Sequence, residues 1–274
     1  MLSLAVGTAF FLWVTATVAL WAMQDAIVFP VPGGISREAL DAAAAKSGAR
    51  PMDLVAEDGV RSYAWHRTVR ADRLVIYFPG NAEAVTDNVA LQGLLLDAGF
   101  DVLWVAGRGY PGSDGRPSED GLARDAAAAW AWATGPGAYR PERIVLHGRS
   151  LGGGVAAHLA EVQHPSALVL EATFASLVDL ARARYPIFPV RPLLRHPFET
   201  DVRSPRLRVP TFVVHSRADQ TIPIRFSAVR LAPLLAEGEV HEVDRWAHGD
   251  CLPVVDPAIR VAYLAFLERT VPRR

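Results

Sequence analysis

The sequence predicts an α/β fold: a mostly parallel sheet with helices on both faces. Three observations predict it. Short apolar runs of strand length alternate with segments of helical spacing. Several of those runs, such as Leu-Val-Ile-Tyr-Phe at 74–78, are apolar throughout, as a strand covered on both faces requires. Of the 274 residues, 51% are hydrophobic, which is enough for one large core.

The first element stands apart. From Leu2 to Met23 no side chain is charged, and Leu, Val, Phe, Ala and Trp dominate. About 20 residues at about 1.5 Å each cross a hydrocarbon core of about 30 Å. Trp21 suits an interfacial position. Residues 1–24 are expected to be a single-pass transmembrane anchor in the membrane. A cleaved secretory signal is the alternative, although no Lys or Arg precedes the run and the run is long for a signal. A helix buried in a soluble fold is the third reading. The first Arg is Arg37, so flanking charge does not set the orientation.

Residues 25–274 are expected to form the folded domain. A Pro/Gly connector at 29–34 leads to a short helix opened by Ser36. Strands are expected at 61–67 and 74–78, then a helix at 84–98 closed by Gly99. A strand at 102–105 leads into a Gly-rich loop at 107–115. Ser118-Glu119-Asp120 opens a helix running to about Thr134. Next come a strand at 144–146, a helix at 151–163 and a strand at 167–170. After a strand at 211–215, residues 223–236 read as mostly helix, 240–243 as a short strand and 257–269 as the closing helix. Residues 174–205 break this rhythm, with five prolines, several Arg and aromatic residues, and no strand. Lying between two sheet strands, they are expected to run over the carboxyl edge as a small cap insertion.

Net charge is −1 with Arg scattered, which offers nucleic acid no basic stripe. The single cysteine, Cys251, cannot form an internal disulfide and has no second thiol for a zinc site.

The chemistry centres on Gly148-Arg149-Ser150-Leu151-Gly152. This Gly-x-Ser-x-Gly lies between an apolar strand and an Ala-rich helix. The glycines remove side chains that would collide in so tight a turn, which lifts the Ser150 hydroxyl clear of the sheet. The turn also aims the helix N-terminus and the Leu151 amide at an oxyanion. A serine needs a base. Of eight histidines, His248 follows the last short strand and precedes the closing helix, completing the order Ser, acid, His. His147 is expected to point into strand packing, and His158 and His164 to be packing or surface residues. His66, His196, His215 and His241 have no motif around them. Asp219, four residues past a strand and before a Pro-opened helix, suits the acid that orients the base. Glu171 at the end of the preceding strand is the runner-up. Asp244 and Asp250 lie too close to His248 in sequence to be first choices. The loop Pro79-Gly80-Asn81 after the 74–78 strand is placed to offer the Asn81 amide as second oxyanion donor. Alone it reads equally as a simple turn.

These motifs resemble the α/β-hydrolase superfamily in combination and in order. They are Phe78-Pro79-Gly80-Asn81-Ala82, Gly107-Arg108-Gly109-Tyr110, Gly112-Ser113, Pro117-Ser118-Glu119-Asp120-Gly121-Leu122, the Ser150 elbow, Arg217-Ala218-Asp219 and Ala247-His248. The likeness is strongest to the Bem46-like branch of membrane-anchored hydrolases and protein depalmitoylases, and spans roughly residues 25–270. It implies an α/β-hydrolase fold and a triad of Ser150, Asp219 and His248. It also implies an oxyanion hole at Asn81 and Leu151, an N-terminal membrane segment, and hydrolysis of carboxylic esters or thioesters without a cofactor or metal. The expected partner is a small-molecule or lipid acyl ester or thioester. Two departures stand out: Pro79 where the branch carries His, and His215-Ser216 where it carries His-Gly. Proline removes its own backbone donor but not that of Asn81. A serine peptidase of the same fold, and an inactive membrane-tethered interaction module, are the competing readings.

Overall fold

The computed structural model describes residues 2–273. Its sheet has eight strands: β1 (Arg50–Val55), β2 (Arg61–Arg67), β3 (Leu74–Phe78), β4 (Asp101–Val105), β5 (Ile144–Arg149), β6 (Ala167–Glu171), β7 (Thr211–Ser216) and β8 (Gly238–Val243). Their spatial order is β1-β2-β4-β3-β5-β6-β7-β8. β1 and β2 form an antiparallel edge, β2 runs antiparallel to β4, and the rest are parallel.

The long helix α1 (Leu2–Val28) comes first, then α2 (Arg37–Ser47) and α3 (Val89–Asp97). After β4 comes α4 (Glu119–Thr134), and after β5 comes α5 (Leu151–Gln163). Between β6 and β7 lie the short helices α6 (Leu177–Arg184), α7 (Val190–Leu193) and α8 (Thr200–Arg203). The chain ends with α9 (Ala228–Leu231), α10 (Leu252–Val255) and α11 (Pro257–Thr270). Alternation along β3 serves two cores, because successive strand side chains point to opposite faces. Leu74, Ile76 and Phe78 pack with α4 and α5, while Val75 and Tyr77 pack with α3 and α11. That is why the run is apolar without a gap. α1 is long and apolar enough to cross a membrane, by length and composition.

The structure departs from the expected elements most clearly at β1, at 84–98 and at 223–236. β1 was not expected: it carries Pro51 and Asp53 and is mostly exposed, as an edge strand tolerates. The helix expected at 84–98 starts only at Val89. Residues 84–88 turn instead, with the Ala84 amide donating to Asp87 Oδ2 at 2.9 Å and Asn88 left-handed at φ 54°. The stretch at 223–236 is broken into 3₁₀ turns on either side of α9, because Pro223 and Pro233 cannot donate helical hydrogen bonds.

The chain leaves β3 for β4 on one side, then returns to β5 on the other. The carboxyl ends of β3 and β5 therefore face each other at the point where strand order reverses, the usual place for a ligand crevice in an open α/β sheet.

Candidate active site

Ser150 sits alone in the turn between β5 and α5, with φ 50° and ψ −119°. A residue with a side chain holds such a backbone only when its surroundings over-determine it. Here the Ser150 amide donates to Glu171 O at 2.9 Å, and Thr173 Oγ1 donates to Ser150 O at 2.7 Å. The flanking glycines leave no room for side chains. A Cβ on Gly148 would lie 2.2 Å from Gly152 O, and one on Gly152 would lie 2.0 Å from Phe78 O.

Three loops bring the candidate residues together. Ser150 Oγ is 2.9 Å from His248 Nε2, and His248 Nδ1 is 2.7 Å from Asp219 Oδ2. The other Asp219 oxygen accepts the amides of Thr221 at 2.8 Å and Ile222 at 2.9 Å, which locks the carboxylate in place. Burial pushes this carboxyl up, but hydrogen bonds from His215, His248 and the Ile222 amide outweigh it and hold it well below the usual carboxylate range. His215 Nε2 donates to Ile222 O at 2.7 Å and lies 3.4 Å from Asp219 Oδ2. That tautomer leaves Nδ1 to accept from Ser227 Oγ at 2.7 Å. With no motif around it, His215 showed no sign of this contact in the sequence. Ser227 was also missed; only a contact through space reveals it.

Asn81 and Leu151 both line the cavity in front of Ser150. Among the described residues neither backbone amide has an acceptor. The β3–α3 loop is held from three sides. The Gly80 amide donates to Glu83 Oε2 at 3.0 Å, Asn81 Nδ2 donates to Val28 O at 3.2 Å, and the Ala82 amide donates to Pro30 O at 3.0 Å. Buried Arg149 ties this loop to the histidine loop, pairing with Glu83 and donating to the His248 carbonyl. In the sequence Arg149 was only a variable letter of the elbow motif. Arg149→Met would leave Glu83 without its cation and the His248 loop untethered. Its kcat/KM for a nitrophenyl ester is expected to fall about ten- to a hundredfold, since small misplacements in a relay cost that much. A loss under twofold would mean that the loops hold themselves.

The other candidates are occupied elsewhere. Glu171 is fully buried, accepts from Leu252 N at 2.7 Å and faces His147 Nε2 at 3.0 Å, so its oxygens are engaged with partners other than His248. His147 Nδ1 meets Tyr263 Oη at 3.1 Å, as befits strand packing. Asp250 accepts the Ala247 amide at 2.7 Å, and Asp244 pairs with Arg217. His66, His196 and His241 bond to Tyr139, Asp25 and Glu239, and His164 ends α5. Cys251 is buried beneath the site. Burial, and next the neighbouring Glu171 carboxylate, push its thiol well above its ordinary value, so it is a packing residue rather than a nucleophile.

Ser150 and His248 open into a cavity of about 530 Å³. Its walls come from Phe174 and Leu177 to Leu194 on one side, and from one face of α1 on the other. No Asp or Glu lines it among the described residues.

A model of the X-Pro dipeptidyl-peptidase (S15) family matches residues 36–186. An uncharacterized protein of Mycobacterium tuberculosis is 33% identical over 222 residues, covering 80% of this chain and 77% of its own length. The alpha/beta hydrolase domain-containing protein WAV2 of Arabidopsis thaliana is 29% identical over 77% of this chain and 75% of its own. Among solved structures, an alpha-beta hydrolase from Vibrio vulnificus superposes with a TM-score of 0.69 at 20% identity, over 87% of this chain and 86% of that one. The Pyrococcus furiosus esterase Pf2001 superposes with a TM-score of 0.68 at 19% identity, over 87% and 97%.

Proposed function

Because the chain belongs to the α/β-hydrolase superfamily and is a hydrolase of that fold, we propose that it cleaves carboxylic esters or thioesters through an acyl-enzyme on Ser150. Ser150 Oγ attacks the acyl carbon as its proton passes to His248 Nε2. Asp219 holds the imidazole tautomer and offsets the charge it gains. The oxyanion faces the amides of Asn81 and Leu151. The tetrahedral adduct expels the alcohol or thiol, which takes the proton from His248. Water then repeats the sequence on the ester, regenerating Ser150 and releasing the acid. In this reading residues 1–24 anchor the enzyme in the membrane, residues 25–274 form the hydrolase domain, and residues 174–205 cap it. The setting is that of the Bem46-like branch.

One observation carries the reading: an unbroken chain of hydrogen bonds from Ser150 through His248 to Asp219, at 2.9 and 2.7 Å, in the wall of a largely apolar cavity. A fluorophosphonate probe is expected to label the wild type and not Ser150→Ala. An unlabelled wild type would favour an inactive interaction module instead. The S15 match favours a second reading, an aminopeptidase acting on X-Pro peptides. Such an enzyme needs carboxylates for the substrate's free amine, and the described lining offers none. Turnover of an X-Pro nitroanilide well above that of a nitrophenyl ester would reverse this preference.

A further inference from the structure

We propose that the cavity holds the acyl chain of a bilayer lipid ester and that the second half of α1 forms one wall of its site, so that the chain enters sideways from the leaflet α1 crosses. This deepens the reading above and rests on it, both for Ser150 as nucleophile and for α1 as anchor.

α1 has one face turned toward the domain. Trp13, Thr17, Leu20, Gln24 and Val28 are buried or half-buried, at the spacing of a single helical stripe. Leu4, Phe10, Phe11, Leu12 and Met23 are exposed, as lipid-facing residues are. A membrane tether alone needs no such face. This one docks on the insertion at two levels. Near its end, the buried Gln24 clamps the insertion's backbone: Nε2 donates to Leu193 O at 3.2 Å, and Oε1 accepts from Arg195 N at 2.7 Å. Eleven residues earlier, Trp13 Nε1 donates to Ile187 O at 3.0 Å, and its ring stacks on Phe188 at 6.4 Å. That separation is about 16 Å along the helix axis. The strip 187–193 therefore runs down α1 for about three turns, with Ile187 69% exposed at its tip.

The polar boundary is marked too. Arg195 pairs with Asp25 at 2.8 Å and lies over the Trp21 ring at 4.5 Å, the pairing expected of residues at a membrane–water interface. Everything from Trp21 back to Trp13 then lies below the headgroups, and the strip dips in beside it. The cavity follows the same path. Val28 O accepts from the Asn81 side chain, Asn81 and Ser150 share the cavity wall, and Thr17 lines it eleven residues back along α1. From Val28 to Thr17 is about 16 Å, room for an extended chain of about a dozen carbons. A water-soluble ester needs neither this length nor a wall made of an anchor.

The test uses the full chain in vesicles of an ether-linked lipid, with nitrophenyl butyrate, octanoate, laurate and palmitate. Ile27, Leu20 and Thr17 line the cavity in that order back along α1 from Val28, whose carbonyl holds Asn81. A tryptophan at each is expected to shorten the preferred chain in that order, Ile27→Trp most and Thr17→Trp least. Leu20→Trp is expected to lower the laurate-to-butyrate ratio of kcat/KM by roughly tenfold or more. Leu4→Trp, outside the cavity, is expected to keep the ratio within about twofold. Mere disruption of the fold would not produce a graded order. Fluorophosphonate labelling of each variant establishes that Ser150 still reacts, and Leu20→Phe serves if Leu20→Trp fails to label. An unlabelled wild type counts against the Ser150 reading. Labelled variants with the wild-type chain-length profile overturn this proposal alone. Hydrolysis of a lauroyl phospholipid mixed into the vesicles is expected; turnover only of a lauroylated peptide would overturn the lipid as occupant.

Discussion

Asp219→Asn is expected to lower kcat for ester hydrolysis by about 10⁴ while leaving the protein folded. The substitution keeps the shape and removes the charge. One oxygen of the native carboxylate accepts the Thr221 and Ile222 amides, so the substituted amide would keep its carbonyl there and turn its NH₂ toward His248. His248 Nδ1 would then have to accept, which places the proton on Nε2 facing Ser150. The base would be in the wrong tautomer to take the serine's proton. Burial raises the carboxyl's pKa, but bonds from His215, His248 and the Ile222 amide outweigh it and favour the charged form that the substitution removes. Steady-state kinetics with a nitrophenyl butyrate substrate, beside a thermal melt, would check this. A loss below tenfold with the fold intact would mean that Asp219 is not the orienting acid.

Gly152→Ala is expected to cost about 3 kcal/mol of stability and more than about a hundredfold in kcat. The added methyl would lie 2.0 Å from Phe78 O and 2.5 Å from Pro79 O. Both obstacles are backbone, so no side chain can swing aside. β3 and α5 must separate, and that moves the Asn81 amide away from where an oxyanion on the Ser150 ester would form. The control is Gly93→Ala on α3, where nothing lies within 4 Å. It is expected to be neutral or slightly stabilising, as alanine is in a helix. Denaturant melts of both variants, with butyrate kinetics, separate the two effects. Equal stability of Gly152→Ala and wild type would refute the packing account.

How much of this was legible beforehand depended on whether a residue acts through local sequence or through space. Strand 74–78 declares itself because both faces are buried. Ser150 is legible because its turn needs glycine on either side, and His248 and Asp219 because chain order constrains them. β1 was not, because an edge strand with Pro51 carries little pattern. Nothing in a linear motif reveals that Arg149 spans Glu83 and the His248 carbonyl, or that His215 leans on Asp219. The same limit applied to α1. Its composition says only that it is apolar, and the stripe from Trp13 to Val28 holds just two polar residues, Thr17 and Gln24. Only the docked insertion shows that this face has a partner.

The chain's lone thiol has a practical use. Cys251 is 5% exposed and packs where α10 meets the sheet, so a maleimide can reach it only when that junction opens. Its alkylation rate is thus expected to report opening of that junction, readable by mass without any engineered tag, and a surface cysteine added elsewhere would react first and could carry a dye of its own.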